Sequence, residues 1–311
     1  MDAALADAKA QRAEQYIFLG DYYRDLPWPN EVVDTIRSIN GVAAIKGNNE
    51  GYLVSMHGQD QGQWTDKQSQ LLYWNYKALT PENLEYLMDL PENAEIADKR
   101  GTIRFTHSME MFYRPPYMRV FTSSGFNEMM ERDPISHDEY LALARKILLS
   151  NFDMLNQIHA LPEGVYLFGH QHNQFHVEIE GRLFINPGSC GAMTDHATTV
   201  PYTLLDSNAG GWAVTERRVA YDIEGAIQAL RASDIAARAP VWSEVIELQL
   251  REGKNHFGTF VRSLRKIGRE HGQMTEPFSN DVFDLAATIW KHGNGLTQRA
   301  QSHREEAQRK L

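Results

Sequence analysis

Val165-Tyr166-Leu167-Phe168-Gly169-His170-Gln171-His172 decides how this chain is read. Four consecutive apolar residues that stop at a glycine read as a strand buried on both faces. Two imidazoles follow at alternate positions. Open α/β sheets present their ligand-binding groups just beyond the carboxyl ends of such strands. The same pattern recurs upstream. Tyr16-Ile17-Phe18-Leu19 runs into Gly20-Asp21, and Val42 to Lys46 runs into Gly47-Asn48-Asn49-Glu50. Thr102-Ile103-Arg104-Phe105-Thr106 delivers His107. Strand ends therefore carry Asp21, Asn48, His107, His170 and His172.

Helices are expected between these strands. Ala3 to Gln11 is Ala-rich, and Asn30 is placed to cap a helix whose apolar face is Val32, Val33, Ile36 and Ile39, ended by Asn40-Gly41. Thr65 to Leu90 reads as helical, with a start at Thr80-Pro81. Ser136 to Leu161 reads as a long helix with Leu141, Ala144, Ile147 and Leu148 on one face. After His172 the pattern turns to hairpins: His176–Ile179 with Arg182–Ile185, then Thr203–Asp206 with Trp212–Val219. From Asp222 the text is helical, broken at Pro240, Gly253, Gly272, Pro277 and Gly293, and the tail Thr297–Leu311 is polar. The expected fold is α/β of mixed α+β character, with residues 1–221 as one domain, residues 51–90 as a helical cap and residues 222–311 as a helical extension.

Composition narrows the function. The 311 residues are 42% hydrophobic and 23% charged, an ordinary globular balance. A net charge of −10 argues against broad grip on nucleic acid, which needs clustered cations to displace counterions. It leaves room for a small phosphorylated substrate, because bound metal ions invert the local field. One cysteine, Cys190, cannot form an internal disulfide, and its expected role is a small buried residue. Met1-Asp2-Ala3-Ala4-Leu5 is not a secretory signal, and no apolar run is long enough to span a membrane. The expected location is the cytoplasm. Oligomeric state is not readable.

A carboxylate, an amide oxygen and three imidazoles suit a divalent ion such as Mn, Fe, Ni, Co or Zn. Two such ions about 3.5–4 Å apart can clamp a phosphate. Asp21 and Asn48 could instead be ordinary turn formers, since Gly-Asp and Gly-Asn are common turn pairs. No role is assigned to His57, His137, His159, His256, His271, His292 or His303, and His176 and His196 stay open. Trp64, Tyr73, Trp74 and Tyr76 read as packing residues.

Taken in order and spacing, Gly20-Asp21, Gly47-Asn48, His107, Gly169-His170-Gln171-His172 and Asn186-Pro187-Gly188-Ser189 resemble the calcineurin-like metallophosphoesterase superfamily, above all its small bacterial members. The resemblance runs from about Ala3 to Tyr221. It implies a four-layer αββα sandwich of two mixed sheets flanked by helices, with two divalent metals at the strand ends. Asp21 would bridge the metals, Asn48, His107 and His170 would complete one site, and His172 would serve the other. The implied reaction is hydrolysis of a phosphate mono- or diester by a metal-bound hydroxide.

Three departures accompany the resemblance. The family opens with an Asp-x-His motif at the end of a first strand, and no such motif stands before Asp21. The second site is then two ligands short and is expected to be weak or empty, unless the start site lies upstream. Asn49 occupies the catalytic position where the family commonly has His, and an amide cannot transfer a proton at neutral pH. Arg24-Asp25 inverts the usual Asp-Arg order, so the motif alone gives Arg24 no phosphate-binding role. The competing expectation is a weak or inactive member that acts as a metal-binding regulatory or interaction module. A nuclease would need a basic patch around Arg114, Arg119, Arg217 and Arg218.

Overall fold

The computed structural model describes residues 1–108, 152–208 and 210–294, with scattered positions between 135 and 150. β1 (Tyr16–Phe18) and β2 (Val42–Ala44) are parallel neighbours, Tyr16 opposite Val42. The central mixed sheet has five strands: β3 (Asn93–Asp98), β4 (Gly101–Thr106), β5 (Gly164–Phe168), β6 (Gln174–Ile179) and β7 (Arg182–Pro187). Their order is β3-β4-β5-β7-β6, with β4, β5 and β7 parallel and the two edge strands antiparallel. Val165, Tyr166, Leu167 and Phe168 are all buried, as a central parallel strand covered on both faces requires. β8 (Val200–Asn208) and β9 (Gly211–Val219) form a separate hairpin.

Side-chain alternation on β1 and β2 sets the layers. Ile17, Leu19, Ala43 and Ile45 pack with Phe105, Val165, Leu167 and Ile185 of the large sheet, joined by Leu205, Trp212 and Val214 of the hairpin. Phe18, Val42 and Ala44 point the other way, to Tyr22, Val33, Ile36, Leu53 and Leu87. Those residues come largely from α2 (Pro29–Ser38), α3 (Asn48–Met56) and α5 (Pro81–Asp89). α1 (Asp2–Ala10) lies on the hairpin, its Asp7 carboxylate accepting from Tyr202 Oη at 2.5 Å and Arg217 Nε at 2.7 Å. α6 (Phe152–Ala160) leads into β5.

The C-terminal region is helical: α7 (Ile223–Ala232), α8 (Asp234–Arg238), α9 (Pro240–Glu252), α10 (His256–Glu270) and α11 (Asn280–Gly293). Trp242, Phe260, Leu264, Phe283 and Trp290 form its core. That core also takes in Leu71 and Trp74 of α4 (Gln70–Ala78) and Leu26. No helix among the described residues is long and apolar enough to cross a membrane.

Some elements differ from the sequence expectation. The Gly47-Asn48-Asn49 turn is the start of α3, not a loop. The stretch Thr65–Leu90 divides at Leu79, with Thr80 Oγ1 accepting from Asn83 N to cap α5. β3 was not expected. Its residues are exposed and half-buried in alternation, typical of an edge strand with little apolar signal. Cys190 is exposed rather than buried, because it stands in the turn beyond the end of β7. Leu141, Ala144, Ile147 and Leu148, most of the segment Met109–His137, and the tail Thr297–Leu311 lie outside the described residues.

Candidate metal centre

Asp21 follows β1, Asn48 opens α3 just past β2, His107 follows β4, and His170 and His172 follow β5. Four side-chain atoms from these four places converge. Asn48 Oδ1 lies 3.1 Å from His107 Nε2 and 2.9 Å from His170 Nδ1. His107 Nε2 lies 3.3 Å from His170 Nδ1 and 3.4 Å from Asp21 Oδ2. Among the described residues, Asp21, His107 and His170 are the group of acidic and imidazole side chains able to hold a metal ion.

The chemistry of this donor set fits a cation. His107 Nδ1 is 2.6 Å from the Leu19 carbonyl, which only accepts, so Nδ1 carries the hydrogen. A neutral His107 ring therefore turns an Nε2 lone pair inward. Asn48 Nδ2 donates to Asn49 Oδ1 at 3.2 Å, which turns the Asn48 carbonyl oxygen inward as well. The Asp21 carboxylate, the Asn48 amide oxygen and the His107 Nε2 lone pair then face one another, and His170 Nδ1, 2.9 Å from Asn48 Oδ1, either donates to that oxygen or adds a further lone pair according to its tautomer. A proton on His107 or a metal ion relieves the contact between Asp21 and His107. His172 is held in the same way, its Nδ1 2.9 Å from the Ala192 carbonyl.

Two residues without an obvious sequence signal fix the loops. Glu50 is fully buried, and its carboxylate accepts from Asp21 N at 2.8 Å, Gly47 N at 2.6 Å and Tyr22 N at 3.0 Å. One side chain thus ties the loop after β1 to the loop after β2. The Gly-x-x-Glu spacing of a capping box was the signal available for it. The Tyr22 hydroxyl sits 2.7 Å from Ile45 O and 3.1 Å from Gly20 N, bridging the same two loops. On the other side, Asn186 Nδ2 donates to the Gly169 carbonyl at 3.0 Å, so the Asn-Pro-Gly-Ser segment braces the Gly-His-Gln-His loop.

A family description of the calcineurin-like phosphoesterase superfamily domain matches residues 1–210. The chain belongs to that superfamily. An uncharacterized protein of Methanocaldococcus jannaschii is 23% identical over 243 residues, 78% of this chain and 89% of its own length. A metallophosphoesterase from Sphaerobacter thermophilus superposes with a TM-score of 0.55 at 20% identity, covering 81% of this chain and 92% of its own. A hypothetical protein from Pyrococcus horikoshii gives the same TM-score and coverage at 19% identity. These structures support the phosphoesterase-like fold.

Within this phosphoesterase domain the electrostatics follow from burial and neighbours. Burial raises the Asp21 carboxyl, but the His107 hydrogen bond and charge, Arg24 and the Asn49 N–H outweigh it, and its pKa falls below the usual range. Burial lowers His107, yet contact with Asp21 lifts it above the ordinary imidazole value. Burial and the neighbouring His107 push His170 down to about 4. Burial also lowers His172. Glu50 is raised to about 7 by burial and the nearby Asp21 charge, against the pull of its three N–H donors.

The remaining expected site residues are also placed. Asn49 is buried, its Nδ2 donating to Tyr23 O at 3.2 Å and its Oδ1 accepting from Arg24 Nη1 at 3.1 Å. Its backbone N–H donates to Asp21 Oδ1 at 2.9 Å. Arg217 and Arg218 pair with Asp7 and Asp195, so neither offers a free cation to nucleic acid. Arg114 and Arg119 lie outside the described residues. His176 pairs with Glu216 at 2.7 Å.

Proposed function

We propose that this chain is a metal-dependent phosphoesterase acting on a small phosphorylated substrate. The observation that carries the reading is the meeting of Asp21, Asn48, His107 and His170, whose lone pairs converge from four strand ends. These residues would hold one divalent cation, with Asp21 and His172 offering part of a second site. Such cations would activate water and neutralise charge on the phosphorus oxygens. The domain is assigned to residues 1–221 in the four-layer arrangement of the family, with the C-terminal helices against it. Asn49 orders the loop through its amide and leaves the departing oxygen without a side-chain acid. The test is release of 4-nitrophenol from aryl phosphate esters by protein loaded with Mn²⁺. Chelator-sensitive turnover is expected, and turnover indifferent to chelator, or absent with every divalent ion tried, would refute the assignment.

A second reading is a single-metal binding module. It is favoured because the metal-capable group among the described residues holds Asp21, His107 and His170 without His172. Elemental analysis separates the two: one ion per chain with no ester hydrolysis supports the module, and two ions exclude it.

A further inference from the structure

β6 presents two unlike faces. Phe175, Val177 and Ile179 are buried on one. Gln174, His176 and Glu178 alternate with them and stand on the other. The register fixes which way this polar face looks. His176 is opposite Ile185 and Glu178 is opposite Leu183, and directly opposed residues share a face. Leu183 and Ile185 belong to the core that takes in Trp212 and Val214 of the hairpin. An edge strand of the central sheet therefore turns three polar side chains toward β9.

Two of the three rungs are closed. Gln174 Nε2 donates to Tyr202 O at 2.8 Å and to Arg217 O at 3.2 Å. His176 Nδ1 lies 2.7 Å from Glu216 Oε1. The third rung is open. Glu178 is exposed, and its carboxylate has no hydrogen bond or ion pair among the described residues. It borders a cavity of about 370 Å³, lined also by His176, Leu183, Trp212 and Val214. Leu183 is buried, and Trp212 and Val214 are half-buried, so both layers turn apolar surface to this space.

This combination selects an occupant. A neutral apolar molecule would strip water from Glu178 without pairing it. An anion would meet a like charge. A cation on an apolar body satisfies both walls: its charge pairs with Glu178, the Trp212 indole is the best aromatic partner for it, and the body covers Leu183 and Val214. The volume lies at the lower end of small-molecule sites and suits a compact ligand. We infer that the cavity is a second ligand site, for a small organic monocation: a primary ammonium or guanidinium group on an apolar or aromatic body. It is separate from the metal centre. β6 begins at Gln174, just past His172, and four residues of strand, about 13 Å, carry the chain on to Glu178. The inference does not depend on the phosphoesterase reading. An inward-turned charge also guards an edge strand against pairing with another chain, but that role accepts either sign and needs no cavity.

The test titrates the full chain with phenethylammonium by ligand-observed NMR and calorimetry, beside 2-phenylethanol and methylammonium. The parent is expected to bind phenethylammonium at about millimolar or tighter, and the other two at least about tenfold more weakly, since one lacks the charge and the other the body. Glu178→Gln is expected to weaken phenethylammonium about tenfold, the loss of one charge-assisted hydrogen bond, and to leave 2-phenylethanol within about twofold. Glu178→Lys keeps a charge on the edge strand and is expected to abolish ammonium binding. Trp212→Phe retains a ring in the core and is expected to weaken the probe about threefold. Mn²⁺ or chelator is expected to leave the affinity unchanged. Nα-acetyl-lysinamide carries the same cation on a peptide backbone and is expected to bind more weakly than the free amine. Phenethylammonium binding weaker than about 10 mM would overturn the inference. So would equal affinity for the alcohol, unchanged affinity in Glu178→Gln or Glu178→Lys, competition by Mn²⁺, or tighter binding of the lysine derivative.

Discussion

Replacing Gly47 by Ala tests whether the metal centre depends on the contact between the loops after β1 and β2. Gly47 has an ordinary negative φ of −101°, so backbone strain plays no part. Space decides. A Cβ there would stand 2.2 Å from Asp21 Oδ1 and 2.5 Å from Asp21 N. Asp21 cannot swing aside freely, because Oδ1 accepts from Asn49 N, Oδ2 faces His107, and its own N–H is held by Glu50. Relief requires the loops to part by about 1 Å, toward normal contact distance. Overpacking costs about 1–3 kcal/mol, and the lost charge-assisted hydrogen bond adds about 1.5–3 kcal/mol, so about 3–5 kcal/mol is expected. At about 2 °C per kcal/mol for a chain of this size, Tm falls by about 6–10 °C. Gly51→Ala is the matched control, four residues further along α3, where a Cβ meets nothing within 4 Å. It removes a helix-interior glycine and is expected to raise Tm by about 1–2 °C. Thermal unfolding and metal content after dialysis against Mn²⁺ read both variants. A Gly47→Ala protein that takes up metal and melts within about 2 °C of the parent refutes the loop-contact argument.

Glu50→Ala leaves three buried N–H groups without their acceptor and is expected to destabilise the chain by about 3 kcal/mol or more, measured by urea unfolding. A change under about 1 kcal/mol would show that water replaces the carboxylate. Metal affinity is expected to rise with pH between about 6 and 8, because a His107 imidazole raised above its ordinary value must lose its proton to bind a cation. A cation at Asp21 also removes the negative charge that helps hold Glu50 up to about 7, so metal uptake releases protons there too. His170, lowered to about 4, is already neutral in this window and contributes no slope. Calorimetry in buffers of different ionisation enthalpy counts the protons, and a count near zero at pH 6.5 contradicts the assignment. Finally, with Asn49 in place of an acid, alkyl phosphates are expected to turn over about 10²–10⁴-fold more slowly than aryl phosphates. A flat dependence of kcat on leaving-group pKa would mean that another group supplies the proton.

Much of the scaffold was legible because parallel strands are uniformly apolar. Tyr16–Phe18, Val42–Ala44 and Gly164–Phe168 announce themselves as short hydrophobic runs, and each stops just before a polar pair or triplet. The donors at those ends could be read in one dimension. What held them could not. Glu50 looks like a surface residue past a turn, yet it is fully buried, because three N–H groups from two loops repay its desolvation. Phe257 reads as one more core aromatic of an amphipathic helix. Its contact with Arg24 joins segments from opposite ends of the chain, and neither carries a local trace of the other.

Backbone conformation supplies the other half of the site, and it has no compositional signature here. Asp21, His170 and His172 have φ of 61°, 63° and 61°, the left-handed region that residues with a Cβ seldom enter. Each costs about 1–2 kcal/mol relative to ordinary backbone. A sequence chosen only for stability would place glycine at these three positions, as it does at Gly20, whose φ is 94°. Keeping a carboxylate and two imidazoles there means that the side chains matter more than the strain. The surrounding bonds explain how the strain persists: Glu50 holds Asp21 N, and the Gly169 N–H to His107 O and Asn186 to Gly169 O bonds lock the entry to the His170 turn. A left-handed residue within a few positions of a strand end changes the direction of the chain there. Two such residues, Asp21 after β1 and His170 after β5, together with His107 after β4 and Asn48 at the start of α3, bring donors to one point. The centre is therefore preorganised by its backbone before any cation arrives. Variants that relax the turn, such as Asn186→Ala, are accordingly expected to lower metal affinity while leaving every ligand in the sequence, and calorimetric Mn²⁺ binding equal to that of the parent would sink this last argument.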